Sequence, residues 1–340
     1  MDRFCRLVPL HARVLLLAFA ALVTFARADY TCAPSGWALS AVFPAEPKVD
    51  DQRTPSPQGD QLAERRYLEV AGEHLMVLRV TYPVVPLPTD REQLYISTIE
   101  AFMKSRRGQI KQDEPWLLGQ YDGQRLLVAQ PAQKTHRETR LVLIGASLYF
   151  ISAEWPGTER PSKTAAAFLA SIDLKPDFTN ARLVEERERW REIKHGNFTL
   201  RYDGSRWFRD PQITDPNSVA MLRVDESAEA EFITSSERHT GTMEELVIGR
   251  AKEHAESVVV KKRGKKLRGS SSVEELYFTA RVDGVSYENH GYFYTGAEGT
   301  VQLRAWAEQK SYGSVSGDID ELLNGLVITR GAPGASAAAK

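Results

Sequence analysis

Residues 145–174, GASLYFISAEWPGTERPSKTAAAFLASIDL, read as a strand, a turn, a short helix and a closing strand. Tyr149, Ile151, Ala153 and Trp155 alternate onto one face of the strand, with Leu148 and Phe150 on the other. Apolar residues on both faces predict burial on both sides. Ser162 stands at the N-cap of the helix, whose Phe168 and Leu169 are expected to pack inward. The pattern recurs at residues 299–328, GTVQLRAWAEQKSYGSVSGDIDELLNGLVI, where LLNGLVI falls in register with FLASIDL. The copies share apolar spacing, a helix start and a chain reversal. Trp155, Ser171 and Asp173 are not reproduced in that register at Gln309, Gly325 and Val327.

Working outward, each copy is preceded by a similar series of elements. Trp37 to Phe43 predicts a strand ended by Pro44 and Pro47, and residues 50–60 (DDQRTPSPQGD) have loop composition. Tyr67–Val70 and Leu75–Tyr82 form a predicted hairpin through Ala71-Gly72-Glu73. Thr89 and Glu92 then make a capping box for a helix with Tyr95, Ile96, Ile99, Phe102 and Met103 on one face, closed by Arg106-Arg107-Gly108. Pro115–Leu118, Gln124–Gln130 and Arg137–Leu143 read as strands, with Asp122-Gly123 as a turn. From Asn197 the order starts again. Phe198, Leu200 and Tyr202 alternate, and Val219–Val224 and Glu231–Ser235 are strand candidates. Thr242 and Glu245 make a second capping box, ahead of a helix using Met243, Leu246, Val247, Ala251, His254, Ala255 and Val258. Three more strands, Glu275–Val282, Tyr287–Tyr294 and Thr300–Glu308, lead to a closing helix around Asp318–Leu323. Strand runs covered by a few helices define an α+β fold of two tandem domains, each an antiparallel sheet flanked by helices. The expected boundaries are a first domain at 29–178, a charged linker at 179–189, a second domain at 190–330 and a disordered small-residue tail at 331–340. The wider connector, Lys175 to Gly196, reads as a solvated segment without a long apolar face.

The 340 residues are 42% hydrophobic and 26% charged, the composition of soluble globular domains. Arg3, Arg6 and Arg13 precede the apolar run Val14–Val23, followed by Ala26-Arg27-Ala28, which predicts a secretory signal peptide at 1–28. The run falls short of the ~20 residues of a membrane span, so an exported protein, periplasmic or extracellular, with no stable span after cleavage is expected. Losing four Arg and one Asp with the signal takes the formal charge from −1 to −4. That balance disfavours nucleic acid as the main partner. Cys5 leaves with the signal, so Cys32 is the sole mature thiol; lipidation, an intermolecular disulfide and an inert thiol in a frayed N-terminus are the three readings of it.

Residues 36–49, GWALSAVFPAEPKV, resemble the opening of PsbP-like domains, in which a glycine leads a strand ending in aromatic-Pro-Gly-x-Pro. Gly145, Phe168-Leu169 and Ser171-Ile172-Asp173-Leu174 match the later part of that pattern. Ala45 stands where glycine is more usual, and the second copy has Tyr202-Asp203-Gly204 in place of the proline motif. The resemblance covers most of 36–174 and, more loosely, 190–328. It implies an α/β/α sandwich, found in photosystem II extrinsic subunits, a nuclear-transport factor and many exported bacterial proteins, whose members mainly bind other proteins or assist their assembly. No family site motif maps onto residues here, so no metal, pigment or nucleotide contact is carried over.

Catalytic motifs are sparse. His74, His136, His195, His239, His254 and His290 are scattered without HExxH, so no metal site and no cofactor are expected. Residues 313–317 (GSVSG) lack the serine placement of a nucleophile elbow and read as a flexible turn. Asp318, Asp320 and Glu321 read as the acidic start of a helix. No catalytic residue is assigned. Two features suggest binding. Lys261, Lys262, Arg263, Lys265, Lys266 and Arg268 are dense for an acidic chain; they fit either the cationic end of a helix or a contact for an anionic partner. Tyr287, Tyr292, Phe293, Tyr294 and Trp306 fit sheet core, with Tyr292, Tyr294 and Trp306 as candidate groove residues. The expected function is non-enzymatic binding or assembly assistance toward an unknown protein or envelope component. The alternative is a binder of a small ligand or anionic envelope polymer, using a pocket between the domains or beside Lys261–Arg268; an enzyme of unrecognised type ranks third.

Overall fold

The computed structural model describes residues 29–86, 90–106, 108–213 and 215–329. The expected signal peptide, the cap Thr89, Arg107 and the tail 331–340 lie outside them.

The first domain begins with β1 (Tyr30–Cys32), β2 (Leu39–Phe43), β3 (Lys48–Thr54), β4 (Gln61–Val70) and β5 (Glu73–Thr81). Helix α1 (Arg91–Arg106) follows, then β6 (Gln109–Leu118), β7 (Tyr121–Gln130), β8 (Thr135–Ile144), β9 (Ser147–Pro156), α2 (Lys163–Ala170) and β10 (Asp173–Leu174). After a 3-10 turn at Pro176–Phe178 and α3 (Ala181–Arg189), the second domain runs β11 (Trp190–His195), β12 (Phe198–Asp203), β13 (Trp207–Arg209), β14 (Ser218–Arg223) and β15 (Glu229–Ser235). It closes with α4 (Met243–His254), β16 (Ser257–Arg268), β17 (Ser271–Val282), β18 (Val285–Gly296), β19 (Gly299–Glu308), α5 (Tyr312–Asn324) and β20 (Leu326–Ile328).

The seven-stranded sheets have the orders β3-β4-β5-β9-β8-β7-β6 and β13-β14-β15-β19-β18-β17-β16, and the small sheets β1-β2-β10 and β11-β12-β20. Adding ten to each strand number of one domain gives the other, so these are two tandem antiparallel-sheet domains of one topology. The hairpin registers Ile144↔Ser147 and Gly296↔Gly299 refine the alignment of the copies: within this strand Trp155 corresponds to Ala307, not Gln309. The two-residue discrepancy is absorbed where α5 begins earlier and runs longer than α2.

Each large sheet buries one face under a small sheet and the closing helix. In the first domain Tyr149, Ile151, Ala153 and Trp155 join Leu39, Phe43 and Phe168 in one core. The residues of the sequence signature interlock there. Trp37 packs edge-on to Tyr149 with centroids 6.1 Å apart, and Phe43 lies 4.9 Å from Phe168. The Tyr149 hydroxyl accepts from the Ala38 amide (2.8 Å), and Ser171 Oγ accepts from Val42 N (2.9 Å) and donates to Phe168 O (2.7 Å). The opposite face carries α1 or α4. In the second domain Met243, Val247 and Ile248 press on Leu276, Phe278 and Phe293. The caps at Ser162 and Thr242 form as expected, the latter as a full capping box.

Several local expectations are corrected. Residues 48–54 form β3 despite their loop composition, because pairing with β4 supplies the backbone partners. Asp122-Gly123 lies inside β7, the turn falling three residues earlier at 119–120, where Gly119 takes φ +60°. Ile96 is exposed on α1. Val258 belongs to β16, since the run Val258-Val259-Val260 favours strand over helix. Residues 313–321 lie within α5. Its buried Val315, Ile319, Leu322 and Leu323 outweigh the roughly 1 kcal/mol each that Gly313 and Gly317 cost a helix. Cys32 is buried in the first core on β1, paired to β2, and not in a frayed end; burial pushes its thiol up. The 179–189 segment is mostly α3, which buries Val184 in the first domain's core and accepts the Ala146 amide on Glu188 (2.8 Å).

Candidate binding surface on the second domain

The basic run lies on β16, the edge strand of the second sheet, and does not end a helix. A bulge between Val260 and Lys262 leaves Lys261 as the extra residue. Alternation past the bulge sends Lys262, Lys266 and Arg268 to the α5 side, where they meet acidic and aromatic groups of β17 and β18. Lys262 and Lys266 lie 3.8 and 3.9 Å from the buried Glu275 carboxylate. Lys262 also stands over the Tyr277 ring at 5.2 Å and Arg268 over Tyr292 at 4.5 Å. Lys261 pairs with Glu288, and Arg268 with Asn324 of α5. Arg263 points to the other side and forms a two-pronged pair with Glu244 in the first turn of α4 (2.7 and 2.8 Å). Lys265 has no ion pair among the described residues.

Beneath this edge lies a group that the basic run gives no hint of. His290 is 1% exposed and stacked on Tyr277 at 3.7 Å. Its Nε2 is 3.2 Å from Glu275 Oε1, and its Nδ1 is 3.0 Å from Asp320 Oδ1 of α5. Burial holds the imidazole below its usual value, with the two carboxylates opposing. Burial also raises the Tyr277 and Tyr292 phenols. Strand parity was the missed signal: Glu275 and Tyr277 on one strand and His290 and Tyr292 on the next alternate onto one face.

Five of the nine sequence candidates thus converge, Lys261, Lys262, Lys266, Arg268 and Tyr292 sharing the α5 side, while Arg263 faces α4. Lys265 belongs to the same strand but not to the network. Tyr294 stands apart, bonded to Glu298 and edge-on to Phe198. Trp306 lies on the opposite face of the sheet, under the guanidinium of Arg304. A cavity of about 400 Å³ does lie between the domains, walled by Arg91, Arg182, Arg189, Trp190 and Arg206, but no residue of the basic run lines it. Among the described residues no group of three or more His, Cys, Asp or Glu is placed to hold a metal ion, and no helix is long and apolar enough to cross a membrane.

No family model and no curated protein matches the chain. Among solved structures, the chain is similar to cyanobacterial PsbP (CyanoP) from Synechocystis sp. PCC 6803 at 9% identity, over 41% of this chain and 92% of that one, with a TM-score of 0.33. It is also similar to the type VI secretion immunity protein TplEi from Pseudomonas aeruginosa, at 11% identity over 89% and 98% of the two chains with a TM-score of 0.27. A chain of the Tle4-Tli4 complex is similar at 13% identity over the same shares, again with a TM-score of 0.27. Such distant likenesses assign no function. The class defined by the fold and this surface is a two-domain α+β protein with a long cationic sheet edge on its second domain.

Proposed function

We propose that this is an exported, non-enzymatic binding protein that takes an extended acidic segment of a partner protein along β16 by strand addition. One observation carries the reading: a twelve-residue edge strand whose cations flank exposed apolar side chains, Val259 and Leu267. An added strand gains main-chain hydrogen bonds at such an edge, while the side chains set specificity. Lysines alone are a common guard against edge aggregation, but a purely protective edge has no use for exposed Val and Leu. Export is supported by the composition of residues 1–28. The non-enzymatic reading is supported by His290, whose position between two carboxylates would suit acid–base chemistry but which Tyr277 and the sheet shut away from substrate. The probe is a short alternating Glu-Val peptide added to the mature chain while backbone exchange is followed. Slowed exchange in β16, abolished by Lys261→Glu, Lys265→Glu and Lys266→Glu together and weakened by salt, is the expected result. Binding that leaves β16 exchange unchanged, or no binding at all, defeats the reading.

A further inference from the structure

The two domains, alike in topology, part company at one place on the α1/α4 side of the sheet. In the first domain three cross-strand neighbours, His74, Glu154 and Arg137, fill the end of that face. Arg137 and Glu154 form a largely buried ion pair, Thr135 donates to Glu154 (3.1 Å), and Phe102 of α1 lies 5.8 Å from the guanidinium. The same register in the second domain holds Glu229, Trp306 and Asn289, so the ion pair is gone. The covering helix is also shorter, 12 residues in α4 against 16 in α1. Between the end of α4 and the sheet an open cleft of about 540 Å³ results, within the range of small-molecule sites.

The cleft is lined by charges of both signs. Arg304 lies over the Trp306 ring at 4.7 Å and donates to Glu231 at 3.5 Å, and Arg250 of α4 is the second cation. Glu229 and Glu253 are the acids of the lining besides Glu231, and the last turn of α4, at the negative pole of the helix, borders the same space. Tyr287, Ala280 and Val282 give an apolar floor. We propose that this cleft binds a zwitterionic small molecule of the amino-acid or short-peptide class, its carboxylate on Arg304 and Arg250 and its ammonium toward Glu229 and Glu253. A guanidinium pair matches a carboxylate's two oxygens, and the acids with the helix C-terminus match a cation.

The test uses the mature chain and four probes: alanyl-phenylalanine with free ends, its N-acetyl and C-amide forms, and N-acetylglucosamine, read by calorimetry and by the change in tryptophan fluorescence that Trp306→Phe removes. Saturable binding of the free dipeptide is expected, weakened about tenfold by blocking either end, the loss of about one charge-assisted contact. Arg250→Ala and Glu253→Gln alter exposed side chains, so unchanged melting is expected together with a similar loss. Trp306→Glu with Asn289→Arg rebuilds the first domain's ion pair and should abolish binding in a folded protein. Equal binding of blocked and free dipeptides, preference for the sugar, or no binding of the free dipeptide overturns the proposal. None of these results depends on β16, so failure here and failure of the strand-addition reading are separately visible.

Discussion

Tyr149 shows what one signature residue does. Its ring belongs to the first core, and among the described residues its hydroxyl is the acceptor for the Ala38 amide, both groups being buried. Tyr149→Phe keeps the ring and strands a buried N–H, which costs about 1–3 kcal/mol. Urea unfolding of the first domain should show that loss, with faster exchange at Ala38. Gly145 is specific for a different reason: it takes φ +59°, and a Cβ there would overlap the Glu188 carboxylate that holds Ala146 N. His290 sets a pH dependence. Because burial depresses its folded value, its contribution to stability is present above the ordinary histidine value of ~6.5 and is lost as pH falls below it. The second domain's urea midpoint should therefore fall from pH 7 to pH 5, and His290→Gln should flatten that slope; an equal slope in both proteins would disprove the assignment.

At the scale of elements, caps and edges matter more than propensity. Thr242→Ala removes the acceptor for Glu245 N and one half of a capping box, a loss of about 1 kcal/mol measurable by thermal unfolding. In α5 the opposite change is favourable. Gly317 has nothing within 4 Å of a built Cβ, so Gly317→Ala should stabilise the second domain by about 0.5–1 kcal/mol. Two of the four outer strands of the large sheets, β6 and β16, carry a bulge with a lysine as the extra residue, Lys111 and Lys261. A bulge twists an edge and limits indiscriminate pairing, so a partner strand on β16 is expected to register on one side of Lys261.

For the whole molecule, α3 decides how the halves are joined. It packs Val184 into the first core, pairs Glu185 with Arg91, and runs without a loop into β11 of the second domain. Val85 N also donates to Gly204 O across the junction (3.1 Å). A first-domain fragment ending at residue 189 should therefore be more stable than one ending at 178, by about 2 kcal/mol for the burial of Val184 and its neighbours. Equal urea midpoints for the two fragments would show that α3 adds nothing to that core.

The α+β class, the repeat and the capped helices were legible in the sequence because apolar periodicity and capping are local properties that survive when residue identity does not. Phe168 beside Phe43 and the box at Thr242 illustrate this. Strand formation by polar runs was not legible: β3 and β16 are strands because the next strand in the chain, β4 or β17, offers backbone partners across a hairpin, a pairing that the polar composition of the run hides. For the same reason the sequence picked out Lys262, Lys266, Arg268 and Tyr292 singly, while only the fold set them around Glu275 and His290. The cleft at Trp306 needed still more, since it exists through the contrast of two registers and two helix lengths. Local pattern determined the elements and their order; which side chains meet was decided by sheet register, a long-range relation that no local run of residues contains.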